Sequence, residues 1–82
     1  MVSIESFVNI KKSEGYKEVM PFVSGYTSLQ LKVKDWVYSF HVNHDSKDVE
    51  YRVVTPYETK GFIIYNLNHV LVRDGKFFRV GE

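Results

Sequence analysis

The chain has no cysteine. That absence excludes a disulfide framework, thiolate zinc sites and a cysteine nucleophile together. No apolar run approaches the roughly 20 residues that a membrane-spanning helix needs. Neither sign of charge dominates: 11 basic and 10 acidic side chains leave a net charge of +1. A nucleic-acid binder usually carries a clear basic excess, and imitation of DNA by charge needs an acidic one. Proline is confined to Pro21 and Pro56. The chain also lacks a Gly-rich phosphate loop, a G-x-S-x-G elbow and an H-E-x-x-H pair. The opening MVSIESFVNIKK has its charges on the wrong side of a short, broken apolar run for a secretory signal. The expectation is a protein of a reducing cytoplasm, with no cofactor and no membrane partner.

What is present is one domain's worth of chain, residues 1–82. A chain this short buries only roughly 60–65% of its unfolded surface, so its stability margin is modest. Aromatic residues make up 16% of it, and their rings are expected to supply much of the burial. Trp36 and most of the tyrosines are accordingly expected in the core.

Residues 3–14 predict a helix. Ser3 can cap it, Glu5 suits its positive end, and Lys11 and Lys12 suit its negative end. Ile4, Phe7, Val8 and Ile10 recur at helical spacing, and Gly15 is a natural stop. After Gly15 the period changes to two. Tyr16, Met20 and Phe22 alternate on one predicted strand, and Leu29, Leu31 and Val33 on the next. A tight turn at Ser24-Gly25 would set Met20 against Leu29, Tyr16 against Val33 and Lys17 near Lys32. Pro21 cannot donate to a ladder, which makes the first strand an edge or bulged strand. The rival is a helix running on to Met20 and ended by Pro21.

The apolar phase shifts at Lys34-Asp35, predicting a turn or bulge. Trp36, Tyr38, Phe40 and Val42 line one face of the next strand. Asn43 to Asp48 read as a polar loop, after which Val49, Tyr51 and Val53 return. Thr55 to Gly61 read as a loop. FIIYNL is apolar on both faces, which predicts a central strand. Asn66 and Asn68 predict a bend. In HVLVRDGKFFRV, Asp74-Gly75 predicts a two-residue type I′ hairpin that pairs Arg73 with Lys76, Val72 with Phe77 and Leu71 with Phe78. The predicted fold class is α+β. A short N-terminal helix packs on a curved, mostly antiparallel sheet of five to seven short strands.

Three constellations bear on chemistry. His41 and His44, with Asp45, have the composition of a metal cluster. Strand geometry sends His41 and His44 to opposite faces, so no metal site is expected. General acid–base work needs a carboxylate and a histidine in a sheltered cleft, and Glu50, Glu58 and His41 are the candidates. Glu50 lies beside Arg52, on the face away from Val49 and Tyr51. Finally, Lys17, Lys32 and Lys34 point away from the core, Arg73 and Lys76 flank the DG turn, and Tyr26 and Tyr57 sit in loops where a ring could stack on a partner.

The helix-then-sheet outline is loosely similar to that of small ribosome-dependent ribonuclease toxins. Their run of basic residues is missing here, and no residue is carried across. The expected function is a non-catalytic binding module that docks on a protein, as an inhibitor or modulator of the phage or mobile-element type. Lys17, Lys32, Lys34, Tyr26, Tyr57, Arg73 and Lys76 are its expected contact residues. The alternative uses the same residues as a basic surface for RNA or DNA, and a third reading is a small ribonuclease-like hydrolase. A homodimer is compatible with all three.

Overall fold

Ser3 has extended backbone, and its hydroxyl accepts a hydrogen bond from the Ser6 amide at 3.0 Å. It thereby caps α1 (Ile4–Ser13) in the computed structural model, which describes residues 2–80. A free first-turn amide is satisfied in this way, and Glu5 complements the same end. The helix closes where Gly15 takes φ +103°, a conformation that a Cβ would strain. Of its apolar stripe, Phe7 and Val8 are buried.

Among the described residues, seven strands follow. β1 (Lys17–Val19), β2 (Tyr26–Val33), β3 (Trp36–Asn43), β4 (Asp48–Val54) and β5 (Thr59–Asn66) form one antiparallel sheet in chain order. A 3₁₀ turn over Leu67–His69 leads to β6 (Val70–Arg73) and β7 (Lys76–Arg79), which pair as a separate hairpin. The fold class is thus the α+β arrangement expected from the sequence.

The turns follow local chemistry. Asp74 and Gly75 have φ of +53° and +73°, the signature of a type I′ turn. The pairs Arg73–Lys76, Val72–Phe77 and Leu71–Phe78 form as predicted. Lys34-Asp35 is a two-residue turn closed by the pair Val33–Trp36, with Lys34 at φ +56°. Between β3 and β4, the Asn43 carboxamide oxygen accepts from the amides of Asp45 and Ser46 at 2.8 and 3.0 Å. The predicted bend is the 3₁₀ turn, capped by Asn66, whose side-chain oxygen accepts from the Asn68 amide at 2.9 Å.

Four expectations are corrected. The strand after Gly15 ends at Val19, and Met20 and Phe22 lie outside it. Pro21 has no N–H to continue a ladder, so the chain leaves the sheet one residue before it. The β1–β2 register is therefore displaced: Lys17 faces Gln30 rather than Lys32, and Leu29 faces Glu18 rather than Met20. The loop after β4 is shorter than predicted, because Thr59, Lys60 and Gly61 already belong to β5. β5 is an edge strand, not a central one. Short turns lay each strand beside its predecessor, and among the described residues no later strand returns to β5. Trp36 retains 46% of its accessible surface. It is the first residue of β3, and its ring packs on Tyr38 with centroids 6.1 Å apart.

The core lies between α1, one face of the sheet and the β6–β7 hairpin. Phe7 packs on Phe40 and Phe77 with ring centroids 5.6 and 5.3 Å apart. Leu29, Val42, Val49, Leu67 and Val70 complete it, each fully buried. Burial comes as much from these aliphatic side chains as from rings. The Lys11 ammonium lies 4.7 Å from the Phe40 ring centroid, closing the rim by a cation–π contact.

Candidate functional site

A sheet has two faces, and α1 covers only one. On the other, alternation along β2, β3 and β4 brings Ser28, Ser39, His41, Glu50 and Arg52 together. His41 stands opposite Ser28 on β2 and Glu50 on β4. Its Nδ1 lies 2.8 Å from the Ser28 hydroxyl and its Nε2 3.2 Å from the Ser39 hydroxyl. The Ser39 hydroxyl donates to the Arg52 carbonyl at 3.4 Å. That donation leaves the Ser39 oxygen to accept from His41 Nε2–H, and Nδ1 to accept from Ser28. A neutral imidazole therefore satisfies the whole chain of bonds. Arg52 donates to the Glu50 carboxylate at 2.9 Å.

Ser28, His41, Glu50 and Arg52 of this cluster line a cleft of about 500 Å³. One wall is the loop Pro21, Phe22 and Val23, and Ile63 of β5 stands opposite. The loop is unusually bare: Met20 is 90%, Phe22 92% and Val23 61% exposed. Gly25, at φ +88°, returns it to β2. Burial is the main reason that the His41 pKa lies below its ordinary value; the nearby Arg52 charge adds to the shift and Glu50 opposes it. Protonation of His41 is then disfavoured in the folded chain but not in the unfolded one. Folding stability should fall as pH drops below about 6.5, the unfolded value. The loss should continue until pH passes below the folded value. In urea titrations at descending pH, the stability difference between the wild type and His41→Gln should narrow over that window. A constant difference would contradict the assignment.

His41 and His44 lie on opposite faces, since His44 Nε2 meets the Thr27 hydroxyl at 2.7 Å on the helix side. No group of three or more metal-ligating side chains assembles among the described residues. Of the acid–base candidates, Glu50 and His41 share the cleft, while Glu58 is in the β4–β5 turn and pairs with Lys60 at 3.5 Å. Ser28, the hydroxyl beside His41, is only 2% exposed.

The predicted contact residues fall in four places. Lys17 and Lys32 extend from the outer face of β1 and β2, with Lys34 in the turn beyond. Arg73 and Lys76 face each other on the separate hairpin, and the Arg73 guanidinium lies 5.4 Å from the Phe78 ring centroid. Tyr26 lines the cleft, where its hydroxyl accepts from the Asn43 side-chain amide at 3.1 Å. Tyr57 is 94% exposed in the β4–β5 turn, at the far end of the sheet from Tyr26. Sequence reasoning missed Met20, Phe22 and Val23 as surface residues. The available signal was Pro21, which forbids the ladder that alternation suggested. Compared with protein-family models, curated proteins and solved structures, the chain matches none.

Proposed function

We propose that this protein is a non-catalytic docking module that seats a protein partner on the cleft face, gripping it with the loop Met20–Val23. The observation that carries this reading is the exposure of Met20 and Phe22, 90% and 92%, beside a preformed cleft. Large apolar side chains held in water cost free energy unless something covers them. Exposed apolar side chains beside hydrogen-bonding groups supply both the contact area and the polar contacts of a protein interface. The charges add detail. Glu50 is paired with Arg52, and Asp48 brings a second carboxylate to the cleft, where it accepts from the Asn66 side-chain amide at 2.9 Å. A partner segment with an apolar side chain next to a lysine or arginine complements such a cleft. Occupying a partner's surface without chemistry is how an inhibitor or modulator acts.

The test compares capture by the wild type, Phe22→Asp and Tyr57→Ser, using lysate of the organism of origin. The expected result is one stoichiometric protein, held by the wild type and by Tyr57→Ser. Phe22→Asp should weaken it by roughly thirtyfold or more, as for a central contact residue. Equal capture by all three would place the contact elsewhere. Retention of RNA or heparin that collapses with modest salt would replace this reading with nucleic-acid binding.

A further inference from the structure

β5 is composed like an interior strand but sits at an edge. Phe62 and Ile63 point to opposite faces, and 55% and 59% of their surfaces are exposed. Edge strands are normally short, or guarded by charge, proline or a bulge. The opposite edge is guarded: β1 has three residues, begins Lys17-Glu18 and runs into Pro21. β5 has eight residues and no proline; its irregularity opposite Val49 and Glu50, and the Arg79 guanidinium on the Ile64 carbonyl at 2.8 Å, lie beyond the regular stretch, residues 59–63. Its first half carries one charged side chain, Lys60. Among the described residues, β4 is its only strand neighbour.

We propose that β5 pairs with β5 of a second copy of this chain, antiparallel about a two-fold axis at Gly61, so that the two sheets become one. The backbone supplies the register. The Thr55 amide donates to the Glu58 carbonyl at 2.9 Å, so these two residues turn their backbone groups toward each other. Such pairs alternate along an antiparallel ladder. Lys60 and Phe62, opposite Val53 and Tyr51, therefore turn their backbone groups toward β4. Thr59, Gly61 and Ile63 turn theirs outward. A two-fold axis at Gly61 joins all three outward positions: Thr59 meets the partner's Ile63, Gly61 meets the partner's Gly61, and Ile63 meets the partner's Thr59. Lys60 then lies against the partner's Phe62, a cation on a ring, and no like charges meet. A closed two-fold pair also leaves no β5 edge for further addition. The second copy is the favoured occupant because one strand furnishes both halves of this match. The Met20–Val23 loop adjoins the opposite edge, and although Ile63 also lines the cleft, the pairing is argued from the β5 backbone and not from the docking reading.

Sedimentation of the wild type across micromolar to submillimolar concentration should show twice the chain mass. Phe62→Lys places lysine against lysine and should return the single-chain mass with an unchanged far-UV spectrum. It should still capture whatever the Phe22 loop binds. The register has its own probe, because the natural chain has no cysteine. When Lys60→Cys and Phe62→Cys chains are mixed and oxidised, they should form the mixed disulfide in preference to either homodimer, since these non-hydrogen-bonded neighbours lie within disulfide reach. A wild type that stays monomeric throughout overturns the proposal, whether or not a foreign strand binds there. So does a Phe62→Lys protein that remains dimeric, or oxidation without preference for the mixed species.

Discussion

Phe7→Ala is expected to leave much of the protein unfolded at physiological temperature. The ring has no exposed surface and touches the rings of Phe40, Tyr65 and Phe77 at centroid distances of 5.6, 6.4 and 5.3 Å. It joins α1 to both the sheet and the β6–β7 hairpin. Truncating a buried phenylalanine costs about 3–5 kcal/mol, part lost transfer and part cavity. A chain of this length has roughly 4–12 kcal/mol in total. The hairpin depends on such packing, because two strands alone are marginal in water. Urea unfolding followed by far-UV circular dichroism measures the loss. A cost below about 1 kcal/mol would be typical of a surface position and would contradict this packing.

Leu67→Ala should be nearly as damaging, at about 2–5 kcal/mol. Leu67 is fully buried in a 3₁₀ turn of three residues. Its amide donates to the Lys47 carbonyl at 2.9 Å, and its carbonyl accepts from the Val2 amide at 3.2 Å. The side chain thus anchors a point where the N-terminal segment, the β3–β4 loop and the link to β6 converge. Asn66 strengthens the same point by donating to the Ser46 carbonyl at 2.6 Å. The predicted signature is loss of amide-exchange protection in β6 and β7 ahead of β2 and β3, together with the lower unfolding midpoint. Uniform loss across all strands would mean that this turn is not a separate anchor.

The exposed loop and the β5 edge show where reading from sequence fails. Met20 and Phe22 alternate well enough to suggest a strand, yet Pro21 between them has no hydrogen to give. The conflict was visible, and the ladder requirement prevailed over the side-chain pattern. FIIYNL is a different case. Nothing local distinguishes a strand covered by its own chain from one left for another molecule to cover. The same limit hid the cleft. Glu50 and Arg52 are two residues apart and could be placed together from the sequence. Ser28 lies 13 positions from His41, and only the β2–β3 register joins them.

Local chemistry in the sequence settled the capped helix, the stop at Gly15, the type I′ turn at Asp74-Gly75, the polar β3–β4 loop and the sorting of each strand's side chains into two faces. These are decided by backbone sterics, capping bonds and a period of two or 3.6, all within a few residues. Only the tertiary structure decided which strands became edges, how far α1 reaches across the sheet, and therefore which apolar residues stayed in water. Trp36, Phe22 and Ile63 are as oily as Phe7. They differ from it only in whether another element arrives to cover them, and that depends on contacts between residues far apart in the chain.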